Sequence, residues 1–226
     1  KEFGVRTLQL ESYGFMDFPH GYHHEKIGVD LGPVGRYLMG LCFCPACKRV
    51  AQEEGVDLQA AQEAVRQYLE GILKSRRRTP DTFSEQALLN EIPQLVPYLR
   101  MRERIIERFV ARLSDAVSKP LNLLGIGENL VPEPSPQVAE VTVCAYHISP
   151  DEVGAASRTA REVVTPPFEL GIGIEACPRL SPSKENLAAK VRAAWNAGAD
   201  NLYFYNYGLM PLKSLDWLKA AIALGG

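Results

Sequence analysis

A chain of 226 residues that is 46% hydrophobic can fill one large core or two small ones, and a net charge of −2 supplies no global basic field to attract nucleic acid. No apolar run approaches the ~18 residues that would suggest a membrane span. The five cysteines are odd in number and three share one motif, so they do not read as a disulfide framework and point to a reducing compartment, the cytoplasm. No signal peptide is read, and the opening Lys1 in place of a methionine raises the expectation that an N-terminal portion has been lost.

In chain order, an apolar strand is predicted from about Val5 to Glu11, followed by an irregular loop to about Pro33. Helical periodicity follows over Val34–Glu54, Leu58–Arg76 and Ser84–Ser118, with Pro93 and Pro97 implying breaks or a kink. The cluster Lys74-Ser75-Arg76-Arg77-Arg78 reads as a solvated helix C-terminus. Further strands are predicted at Leu121–Ile126, Glu140–Tyr146, Phe168–Glu175 and Asn201–Asn206. Ser149-Pro150-Asp151-Glu152 opens one helix, Ser183 with Glu185 caps another that Gly198 ends, and a last helix runs over about Leu212–Leu224.

Strands alternating with helices predict an α/β fold with a parallel sheet. Polar residues collect at the C-terminal strand ends: Glu11, Tyr146-His147, Glu175 and Asn206-Tyr207. That is where a TIM-type (β/α)8 barrel keeps its sites. Five strands are visible, so the expectation is one partial TIM-barrel domain over residues 1–226, holding the C-terminal five strands. The short, Pro-rich stretch between the second and third strands (Pro132, Pro134, Pro136) leaves little room for a crossover helix.

Strand alternation puts Thr7, Gln9 and Glu11 on one face and Leu8 and Leu10 on the other. Likewise Glu169, Gly171, Gly173 and Glu175 oppose Phe168, Leu170, Ile172 and Ile174, and the two glycines leave room for larger neighbours. With the apolar faces on the outer helices, Glu11 and Glu175 point inward at one mouth. Two such carboxylates suit glycoside hydrolysis, one protonated to assist departure of the leaving oxygen and one ionised to attack. The plain structural alternative is a pair of solvated strand-end residues.

Cys42-Phe43-Cys44-Pro45-Ala46-Cys47 packs three thiols as C-x-C-x-x-C, a spacing that usually holds a metal. Zn²⁺ wants four ligands, and His20, His23, His24 or a residue outside this chain are the options for the fourth; His20 is the one taken here. A structural zinc site is preferred over a catalytic metal, an iron–sulfur cluster or three buried free thiols, and no organic cofactor is expected. His23 and His24, with Tyr13 in the same aromatic loop, are candidate sugar contacts, as are Tyr146, His147 and Asn206 at strand ends.

Glu11-Ser12-Tyr13-Gly14, then a loop, then Cys42-Phe43-Cys44-Pro45-Ala46-Cys47-Lys48 resembles the family 42 glycoside hydrolases, the β-galactosidases of clan A, and uncharacterised bacterial barrel proteins related to them. The resemblance implies that Glu11 is the acid/base, Glu175 the nucleophile of a retaining mechanism, and Cys42, Cys44 and Cys47 zinc ligands. It also implies that the visible strands are the fourth to the eighth of a barrel. The chain departs from the family at Leu10, where the clan carries an Asn that binds the sugar 2-hydroxyl, and in having no upstream fourth cysteine. The expected partner is a carbohydrate, with no nucleic acid and no membrane, and self-association into a homo-oligomer is left open. The rival readings are a non-catalytic carbohydrate-binding barrel and a metal-dependent hydrolase centred on the histidines and thiols.

Overall fold

The computed structural model describes residues 4–11, 13–15, 18, 30–74, 80–125 and 138–223. Their contacts divide the chain into two compact units: unit 1 is Lys1–Ser12 with Val110–Gly226, and unit 2 is Tyr13–Phe109. Unit 2 is therefore inserted in the sequence between the first and second strands of unit 1.

Unit 2 is helical, with α1 (Gly32–Met39), α2 (Pro45–Glu54), α3 (Leu58–Leu73), α4 (Glu85–Glu91) and most of α5 (Leu95–Ala116). The single helix expected over Val34–Glu54 is two, because Gly40 ends α1 and Pro45 can only open the next. Gly55 then ends α2 at φ +67, a left-handed position that favours glycine, and its N–H caps the carbonyls of Ala51 and Gln52. Asp57 opens α3 by accepting the Ala60 N–H at 2.9 Å. Pro93 separates α4 from α5, whereas Pro97 falls in the first turn of α5 and breaks nothing. Leu38, Ala51, Ala61, Val65, Leu95, Tyr98 and Met101 are buried together as the helical core. Among the described residues no helix is long and apolar enough to cross a membrane.

Unit 1 carries β1 (Leu8–Leu10), β2 (Leu121–Gly125), β3 (Val138–Cys144), β4 (Glu169–Glu175) and β5 (Asn201–Tyr205) with α6 (Pro150–Val163), α7 (Lys184–Asn196) and α8 (Leu212–Ile222). The strands form one sheet in the order β1-β2-β3-β4-β5, every pair parallel. Ser149 and Ser183 cap α6 and α7 as their sequences require. Arg161, at the end of α6, pairs with Asp200 at 2.8 Å, and the same Asp200 oxygen accepts the Leu170 N–H, fastening α6 to the starts of β4 and β5.

The TIM-barrel expectation is overturned here. Among the described residues the sheet is open, with β1 and β5 as its two edges and no pairing between them. Closure needs about eight strands with matched tilt and stagger, and β1 is only three residues long. The sheet is nonetheless curled. Asn122 of β2 donates to the Tyr203 hydroxyl of β5 at 3.0 Å, across three strand spacings that would measure ~14 Å on a flat sheet. The polar face is therefore the concave one. Leu121, Leu123, Val141, Leu170, Ile172 and Ile174 are buried on the opposite face.

Gly171 stands on the concave face between Thr142 of β3 and Asn201 of β5. A Cβ there would overlap Glu140 Oε1 and Thr142 Oγ1 and lie 2.8 Å from Tyr203 Cε2. Replacing it with alanine should cost about 1–3 kcal/mol by overpacking, read as a lower unfolding midpoint in urea; an unchanged midpoint would contradict the packing described.

Candidate functional site

The concave face of unit 1 is built by register. Asn122, Glu140, Thr142 and Gly171 form its lower layer, into which the Tyr203 hydroxyl reaches from its place beside Gly173, and Cys144, Gly173, Glu175 and Tyr205 form its upper one, towards the C-terminal strand ends. The lower layer is a hydrogen-bonded network in which Asn122, Glu140 and Thr142 are buried and Tyr203 is exposed. Tyr203 donates to Glu140 Oε2 at 2.6 Å, Asn122 donates to the same oxygen at 3.0 Å, and Thr142 donates to Asn122 Oδ1 at 2.9 Å. Glu140 Oε1 is buried with no hydrogen-bond partner among the described residues. Burial pushes the Tyr203 hydroxyl up to about 12, and its bond to Glu140 adds to this.

In the upper layer, Glu175 is buried at the end of β4, and its Oε2 accepts from Arg179 at 2.6 Å. Its register partner Tyr205 packs against Tyr146, with ring centroids 5.5 Å apart. Gly173 leaves space beneath, where a Cβ would sit 3.6 Å from both Cys144 Sγ and Tyr146 Cε1. Glu11 lies just past β1 and is exposed. It is near enough for its charge to raise the Cys144 thiol and the Tyr146 hydroxyl, both of which burial raises more. Glu11, Tyr146 and Glu175 therefore gather at one end of the unit 1 sheet. His147 is exposed beside them, and Asn206 turns its Oδ1 to the Gly208 N–H at 2.8 Å. Leu10 pairs with Leu123 on the apolar side of the sheet.

Unit 2 holds the thiols. Cys44 caps the N-terminus of α2, Pro45 opens it, and Cys47 comes one turn in. The Sγ atoms of Cys42, Cys44 and Cys47 all lie within 4.8 Å of one another. This cluster could hold a metal ion. The Cys47 backbone N–H and the Cys42 side chain bring the Cys44 thiol down to about 7, while burial pushes Cys47 up to about 12. Tyr98 fixes the preceding loop, donating to the Cys42 carbonyl at 2.8 Å and stacking on Phe43 at 5.0 Å. Tyr13, half-buried, also belongs to unit 2. His20, His23 and His24 lie outside the described residues. A polar cleft of about 510 Å³ on α2 and α3 is lined by Lys48, Gln52, Asp57 and Gln62, but Asp57 is already occupied as a helix cap.

Sequence reasoning missed the Asn122–Glu140–Thr142–Tyr203 network, Arg179, Ser181 and Lys190. The network left a signal, since Asn122, Glu140 and Thr142 are polar positions alternating with apolar ones in two strands. With this geometry in hand, no family model, no curated protein and no solved structure matches the chain.

Burial holds the Glu140 carboxyl above its ordinary 4.5, outweighing the donor from Tyr203. A folded-state pKa above the unfolded one gives stability that is complete at low pH and is lost as pH rises from the unfolded value through the folded one. The Glu140→Gln variant lacks this loss. Its unfolding free energy should gain on that of the wild type as pH rises from about 4.5 towards neutrality, and a difference independent of pH would refute the assignment.

Proposed function

We propose that the concave face of unit 1 is the active site of a retaining glycoside hydrolase, with Glu11 as acid/base and Glu175 as nucleophile. The observation that carries this reading is that Glu175 ends β4 on the concave face while Glu11, just past β1 and three strands away, is near enough for its charge to reach Cys144 and Tyr146. The Asn122–Tyr203 bond crosses the same number of strands one layer below. In the first step Glu11 would give its proton to the glycosidic oxygen while the Glu175 carboxylate attacks the anomeric carbon. The bond to the leaving alcohol breaks and a glycosyl ester forms. In the second step Glu11 takes a proton from water, which displaces Glu175 and releases the sugar. Arg179 pairs with one oxygen of Glu175 and so orients the carboxylate that would attack. The Tyr146–Tyr205 pair offers aromatic faces of the kind that lie against sugar C–H surfaces.

A panel of activated glycosides tests this. Glu11→Gln should slow turnover by ~10²–10⁴-fold, and Glu175→Gln should abolish it. A slow fluorosugar substrate should leave a covalent adduct whose mass maps to Glu175. A wild type that turns over no glycoside and forms no adduct sinks the reading.

The thiol cluster supports a second assignment, a structural Zn²⁺ in unit 2. Two sulfurs at ~2.3 Å from a tetrahedral ion stand ~3.8 Å apart, and Cys44 Sγ and Cys47 Sγ are 3.8 Å apart. Cys42, Cys44 and Cys47 would hold the ion, and the fourth ligand would come from His20, His23 or His24. Elemental analysis of the purified chain should find roughly one equivalent of zinc, lost in Cys42→Ser. Cobalt substitution should give thiolate-to-metal charge-transfer absorption. Three freely titrating thiols and no metal would refute it.

A further inference from the structure

Lys190 is the one fully buried lysine among the described residues. It lies on the buried stripe of α7 with Leu187, Val191 and Ala194, where a leucine would pack without the desolvation that an ammonium suffers. Its amine is brought down to about 8 by burial, with the Glu175 charge opposing. The Nζ is not idle: it donates to the Leu180 carbonyl and, at 3.1 Å, to Ser181 Oγ. Ser181, also fully buried, donates in turn to the Glu175 carbonyl at 2.6 Å.

Between Glu175 and Ser181 the chain makes a tight turn, closed by the Leu180 and Ser181 N–H groups on the Cys177 carbonyl at 3.1 and 2.8 Å. Arg179, which pairs with the Glu175 carboxylate, sits inside that turn. One buried ammonium thus meets the two residues that close the turn, and one of them grips the backbone of Glu175 itself. We propose that Lys190 is a positioning residue for Glu175: through Leu180 and Ser181 it fixes the turn after β4, and with it both the backbone of Glu175 and the arginine on its carboxylate. This rests on the reading of Glu175 as the nucleophile.

The test compares wild type, Glu175→Gln, Lys190→Met and Ser181→Ala, each confirmed folded by circular dichroism, on the best glycoside of the panel. Misplacement of a reacting group by about 1 Å can cost on the order of 10²-fold. Lys190→Met should therefore lower kcat by about that factor while KM moves by less than about threefold, because the interaction lost acts in the transition state. Ser181→Ala, which deletes one oxygen at a site that already fits the side chain, should lower kcat by about tenfold with the same unchanged KM. If Lys190→Met does not fold, Ser181→Ala decides. A kcat within about twofold of wild type in the folded variants, with Glu175→Gln inactive, overturns the positioning role and leaves the hydrolase reading standing. A wild type with no turnover on any glycoside overturns both.

Discussion

Tyr203 reaches over β4 to Glu140 and Asn122 only because residue 171 has no side chain. Those bonds tie the second strand to the fifth and hold the sheet in its curl. Without the curl, strand-end residues three strands apart would stand side by side on a plane, too distant to act on one bond. The lower layer of the concave face is thus the floor on which the upper layer depends. Its buried carboxyl, with one oxygen unpartnered, is a price in stability set against that geometry.

The two chemistries that the sequence places close together belong to different units. Glu11 falls in unit 1 and the three thiols in unit 2, so a metal at the cysteines has its own scaffold. Tyr98 and Phe43 shape the loop, the start of α2 turns N–H groups towards the Cys44 thiol, and the three thiols converge.

Much of this was legible in the residues. The caps at Ser149 and Ser183, the apolar strands of the last third and the face that Glu175 shares with Gly171 and Gly173 follow from local chemistry and two-residue alternation. What local rules do not contain is whether a parallel sheet belongs to a barrel, so the expectation of a TIM-type barrel holding its C-terminal five strands is not met by the open order of the sheet. The same limit hid Lys190. A lysine on a helix's apolar stripe reads as a side chain whose charged end escapes to water. Only the carbonyl of Leu180 and the hydroxyl of Ser181, brought in by the turn after β4, explain why it stays inside.

The insertion of unit 2 also bears on how the chain folds. Leu8 pairs with Leu121, more than a hundred residues later. Closing a disordered loop of that length costs about 4 kcal/mol in chain entropy, and three residues of edge strand earn little in return. If the helices of unit 2 condense first, the intervening chain is already compact and the closure is correspondingly easier. On that account β1 joins β2 only after unit 2 has folded, and Glu11 at its end reaches the sheet only then.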